Sequence, residues 1–138
     1  MKIMVSACLT GQNCKYNGEN NYSEKLMKFL AGHEVFAVCP EVMGGLPTPR
    51  IPCEIVDGVV LNREGVSCDR EYHEGTELAL EIARREQIDL AILQSRSPSC
   101  GVRQVYDGTF SGTLREGQGV FAERMITNGF RVLDVEEL

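Results

Sequence analysis

The chain has 138 residues, 43% of them apolar and 25% charged, with a formal net charge of −6. That length supports one packed core and is too short for two, so one domain spanning residues 1–138 is expected. No apolar run approaches the ~20 residues of a membrane span, and Lys and Arg are scattered on an acidic chain, which excludes a bilayer segment and disfavours nucleic acid while leaving a small-molecule substrate open.

The N-terminal run Lys2 to Ala7 is apolar, lacks the longer core and small-residue cleavage site of a signal peptide, and predicts a first strand emptying into the loop CLTGQNCKYNGENN. A cytoplasmic location is therefore expected, where thiols stay reduced, so the six cysteines are not read as three disulfides. Ser23 predicts a helix cap, with Leu26, Phe29 and Leu30 at helical spacing and Gly32 as the stop. Glu34 to Cys39 predicts a second buried strand ended by Pro40. From Pro40 to Pro52 four prolines and two glycines predict a shaped loop with no helix. Asp57-Gly58 between two β-branched runs predicts a two-residue hairpin turn.

Asp69 is expected to cap a long helix whose buried face carries Gly75, Leu78, Ala79, Ile82 and Ala83. Asp89 to Leu93 predicts a third buried strand leading into LQSRSPSCG. A turn at Tyr106-Asp107-Gly108, a helix from about Val120 to Asn128 stopped by Gly129, and a last strand FRVLDV complete the chain. Alternating strands and helices give an α/β fold class: a single compact Rossmann-like three-layer domain with a mostly parallel sheet and a small β-hairpin. The GxGxxG phosphate fingerprint is absent, since the first loop reads ACLTGQNC, so no nucleotide cofactor is indicated.

Cys8, Cys39 and Cys100 fall at or just beyond the ends of the first three strands. In a parallel sheet these ends share one edge, so the three sulfurs can converge despite their separation in sequence. Three convergent thiolates suit zinc or an iron–sulfur cluster. Structural zinc usually takes four ligands, often from CxxC pairs, and none occurs here. A [4Fe–4S] cluster accepts scattered ligands, and with only three cysteines it keeps one iron open as a Lewis acid.

Glu41 and Ser97 lie two residues after Cys39 and three before Cys100, in reach of the same place and able to move protons. Arg50 and Arg96 could steady an anion. Cys14 shares the loop of Cys8 and is either a substitute ligand or a loop thiol, while Cys53 and Cys68 read as packing residues and His33 and His73 show no ligand spacing. A metal-free nucleophilic Cys100 is disfavoured. The C-x5-R pattern fails at all three cysteines, with Cys14, Gly45 and Tyr106 at the sixth position.

Four ordered motifs carry a resemblance: Ser6-Ala7-Cys8-Leu9; Cys39-Pro40-Glu41 with Gly44-Gly45-Leu46-Pro47-Thr48-Pro49-Arg50; Ser97-Pro98-Ser99-Cys100-Gly101; and Tyr106-Asp107-Gly108-Thr109-Phe110-Ser111-Gly112. They resemble the thiouracil desulfurase family, essentially along the whole chain. The resemblance implies an enzyme with an oxygen-sensitive [4Fe–4S] cluster on three cysteines, matched by Cys8, Cys39 and Cys100. Such an enzyme converts 2-thiouracil to uracil and hydrogen sulfide without net redox change. The carboxylate and serine implicated in the family's catalysis carry over onto Glu41 and Ser97. The family name does not fix which thiolated nucleobase is the substrate. The reading from a different class is a cluster- or zinc-binding structural or redox-sensing module without turnover.

Overall fold

The computed structural model describes residues 1–138. Its centre is a four-stranded parallel sheet in the order β2-β1-β5-β8, formed by β1 (Lys2–Ser6), β2 (Glu34–Val38), β5 (Leu90–Leu93) and β8 (Val132–Asp134). Ile3, Met4 and Val5 pair with Leu90, Ala91 and Ile92. All are buried, as the central strands of a parallel sheet covered on both faces must be.

Successive strand residues point to opposite faces, and the core divides on that period. Met4, Ala91 and Leu93 pack with Ala79, Leu80 and Ala83 of helix α3 (Asp69–Glu86) and with Phe121 and Met125 of helix α4 (Val120–Thr127). Ile3, Val5, Leu90 and Ile92 pack on the other face with Leu26 and Leu30 of helix α1 (Glu24–Leu30) and with Leu9. Two antiparallel hairpins complete the fold: β3 (Cys53–Val56) with β4 (Val59–Asn62), and β6 (Gln104–Tyr106) with β7 (Leu114–Glu116). The three-layer α/β architecture is the one the sequence indicates, with one hairpin more than expected. No helix is long and apolar enough to cross a membrane.

Local signals hold where short-range chemistry dominates. The Ser23 hydroxyl accepts the Leu26 N–H at 3.1 Å, and Asp57 and Gly58 both take positive φ, at 48° and 79°, as a tight hairpin turn requires. Five expectations need correction. Cys8 does not close β1; the strand ends at Ser6, and Cys8 sits in a one-turn 3-10 helix, Ala7–Thr10. β2 is an edge strand, not a buried one: it pairs only with β1, and of its five residues only Val38 is buried. The Pro40–Pro52 segment begins with a short helix, α2 (Pro40–Met43), because proline at the first helical position loses only an N–H that has no intrahelical partner. Cys68, not Asp69, is the N-cap of α3; the Asp69 carboxylate instead accepts the Val60 N–H at 2.9 Å and ties the helix to β4. Leu78 is 46% exposed, and the buried face of α3 runs through Tyr72, Gly75, Thr76, Ala79, Leu80 and Ala83.

α2 and α3 touch backbone to backbone. A Cβ on Gly75 would lie 1.6 Å from the Pro40 carbonyl oxygen, and one on Gly44 would lie 1.8 Å from that of Glu71. Only glycine permits this approach, and it fixes α2, with Glu41 on it, against the long helix.

Candidate active site

The carboxyl ends of β1, β2 and β5 open into a cavity of about 560 Å³. Parallel strands release their chains on one side of the sheet, so the loops that follow them gather there. Cys8, Cys39 and Cys100, which follow these three strands, all line it, together with Glu41, Ser97, Arg50 and Arg96. The expected site residues are thus brought to one place, while Cys68, His33 and His73 are not among its lining residues. His33 Nδ1 accepts from the terminal ammonium at 2.9 Å, and His73 pairs with Asp69 at 3.4 Å.

The thiols differ in environment. Cys100 is 4% exposed, and burial pushes its thiol up to about 12. Cys14, also at the cavity, hydrogen-bonds to Cys39 and Cys8, and these two partners hold its proton far above the ordinary thiol range. The same contacts, foremost among the causes, lower Cys8 and bring Cys39 down to about 7; Asn21 Nδ2, 3.5 Å from Cys8 Sγ, adds to the first and the Arg50 cation to the second. No three Cys, His, Asp or Glu side chains close on a point as a mononuclear metal site requires. The sulfurs frame the cavity instead.

Glu41 is held on both of its oxygens. Arg50 Nη2 and Nε lie 3.0 and 3.1 Å from its Oε1, with the two side chains 7% and 12% exposed. Arg50 also donates to the Cys14 carbonyl at 2.8 Å, so one guanidinium holds both the carboxylate and the loop after β1. On the far side Tyr72 meets Glu41; burial first, then the Glu41 charge, hold its phenol well above 10.0 and therefore protonated. Arg96, the other arginine expected to steady an anion, is turned to Glu136 at 3.0 Å.

Ser99, to which the sequence reading gave no role, links the carboxylate to Ser97. Its hydroxyl donates to Glu41 Oε2 at 2.8 Å and stands 3.0 Å from Ser97 Oγ. A serine has one hydrogen to give, so Ser97 is the donor in the second contact. Ser97 Oγ accepts the N–H groups of Ser99 and Cys100 at 3.2 and 3.0 Å, which fixes its position. The result is a directed chain, Ser97 to Ser99 to Glu41. The signal available in sequence was the i, i+2 spacing of two serines beside a cysteine, which does not say which of the two reaches a carboxylate 58 positions away.

A thiol-rimmed cavity at the carboxyl edge of a parallel sheet, with a partnered carboxylate at its wall, defines a class of α/β protein built for chemistry on a soft, sulfur-containing or metal-bound group. Residues 3–137 match the profile of the 2-thiouracil desulfurase family, and the chain belongs to that family. It is 37% identical to the uncharacterized protein YbbK of Bacillus subtilis (strain 168), over 99% of this chain and 97% of that one. Among solved structures it is similar to the [4Fe-4S]-dependent thiouracil desulfidase TudS, with a TM-score of 0.93 and 38% identity, covering 99% of this chain and 92% of the other.

Proposed function

We propose that this chain is a [4Fe–4S]-dependent desulfidase that hydrolyses a thiolated nucleobase, 2-thiouracil being the model substrate, to the oxo base and hydrogen sulfide. The observation that carries the reading is the meeting of Cys8, Cys39 and Cys100 with the Ser97–Ser99–Glu41 chain in one cavity. The donor set fits the cluster: three soft sulfur ligands come from three strand-end loops that line one cavity of about 560 Å³. Cys8, Cys39 and Cys100 would hold it. When bound, the cluster supplies an iron without a protein ligand, a soft Lewis acid for the thiocarbonyl sulfur.

The chain's own groups supply the proton handling. Water adds to the carbon bearing sulfur, and Glu41 takes its proton as general base, its carboxylate kept in place by Arg50 and Ser99. Once both hydroxyls turn, that proton passes from Glu41 through Ser99 and Ser97 to the departing sulfur, and the hydroxyl proton lost as the carbon–oxygen double bond forms supplies the second. One water is consumed, one hydrogen sulfide leaves, and no electron is transferred. Cys14 is given no ligand role, because a fourth protein thiolate would close the open iron.

The test is anaerobic incubation with 2-thiouracil in the absence of reductant. Uracil and sulfide should form in equal amounts, and Glu41→Gln should keep the visible cluster absorption while losing about 10²–10⁴ of turnover. A brown protein that releases no sulfide, or a Glu41→Gln variant of full activity, would contradict the assignment.

A further inference from the structure

The two hairpins meet beside the cavity, and a carboxylate ties them together. Glu54 Oε1, on β3, accepts the backbone N–H groups of Gly108 and Phe110 at 2.9 and 3.1 Å. The loop between β6 and β7 is closed further by Asp107 N–H on the Thr113 carbonyl at 2.9 Å and by Asp107 Oδ1, which accepts from Thr109 N–H at 3.0 Å. Gly108 lies so near β3 that a Cβ there would sit 2.7 Å from the Ile55 carbonyl oxygen.

In this clamped loop Phe110 has φ +56°, a left-handed conformation that a bulky side chain avoids and that persists only where the surroundings over-determine it. The packing of the core does not account for it, since Phe110 belongs to none of the three buried apolar clusters. It lines the cavity that Cys8, Cys39 and Glu41 line, as do Tyr106 and Tyr16.

We propose that Phe110 is a specificity residue that stacks on the planar ring of the substrate, and that Glu54 is the positioning residue that holds it there. The inference rests on the reading of the substrate as a nucleobase. It follows that the site selects flat, aromatic rings over puckered ones that carry the same polar edge. An aromatic platform under a base favours binding by about 5- to 150-fold.

The experiment uses the anaerobic, cluster-loaded protein and two ligands that differ in planarity: uracil, and dihydrouracil with a saturated C5–C6 bond. Calorimetric titration of the wild type should show uracil bound at least about tenfold more tightly. Phe110→Leu should bring the two affinities within about twofold of each other while leaving dihydrouracil little changed; Phe110→Tyr should restore the preference. Glu54→Ala should act as Phe110→Leu does, and Glu54→Gln, whose amide oxygen can still accept both N–H groups, should behave as wild type.

Irradiation of the unmodified protein with 5-iodouracil should label the peptide containing Phe110, which covers the case of a variant that fails to fold. Any of three results overturns the inference: a wild type indifferent to planarity, a Phe110→Leu variant that keeps the preference or weakens both ligands equally, or label found only elsewhere. Failure of the desulfidase reading looks different. There the wild type releases no sulfide from 2-thiouracil, whatever its preference between the two rings.

Discussion

Replacing Arg50 by methionine tests the electrostatic frame of the site. The guanidinium makes two contacts to Glu41 and donates to the Cys14 carbonyl, the Pro47 carbonyl at 3.3 Å and the Thr48 hydroxyl at 3.0 Å. With the pair at 7% and 12% exposure, solvent cannot replace the lost partner, and breaking a buried pair by removing one member costs about 3–5 kcal/mol. A surface pair would cost about 0–1 kcal/mol. Urea titration of the cluster-free protein should therefore show Arg50→Met destabilised by about 3 kcal/mol or more. The double variant Arg50→Met/Glu41→Gln should recover a large part of that loss, since it leaves no uncompensated charge; the coupling in the cycle should exceed about 1 kcal/mol. An Arg50→Met loss below about 1 kcal/mol, or strict additivity with Glu41→Gln, would refute the claim that this pair is a buried structural unit.

Four further outcomes are expected. Ser99→Ala breaks the link between Ser97 and Glu41 and should lower turnover by about 10²-fold with the cluster retained, as read from sulfide release and the visible spectrum. In cluster-free protein, alkylation of Cys39 should accelerate through an inflection near pH 7, and Cys14→Ala should move that inflection up toward the ordinary 9.0, because the Cys14 thiol is its foremost stabilising partner. The stability of the cluster-free protein should follow both thiols. Cys39, depressed to about 7, adds stability that is present above pH 9 and lost as pH falls through 7; Cys100, raised to about 12, contributes fully below pH 9 and less as pH rises toward 12. Gly75→Ala should destabilise by about 1–3 kcal/mol and reduce turnover, since the added methyl collides with the Pro40 carbonyl and displaces the helix that carries Glu41.

The strands were legible because their period and composition are local properties: Lys2 to Ala7 and Asp89 to Leu93 read as strands, and the structure has strands at Lys2–Ser6 and Leu90–Leu93, buried from Ile3 to Ser6 and throughout the second. Convergence of Cys8, Cys39 and Cys100 followed from a single topological rule, that parallel strands end on one side. What stayed hidden depended on partners distant in sequence. EVFAV reads as a buried strand by composition, yet its place in the strand order makes it an edge. The ion pair of Arg50 with Glu41 and the contact of Ser99 with Glu41 arise only once α2 is pressed on α3 by two glycines whose sequence context looks like ordinary loop and helix. Phe110 was visible only within a motif; its strain and its clamp by Glu54 needed coordinates.

Which thiols hold the cluster is measured most directly by the iron and acid-labile sulfide content of anaerobically purified single Cys→Ser variants at all six cysteines. The expected pattern is loss of about four irons per chain in Cys8→Ser, Cys39→Ser and Cys100→Ser, with wild-type content in the variants at Cys14, Cys53 and Cys68. Full iron in any of the first three, or loss of the cluster in Cys14→Ser, would contradict it.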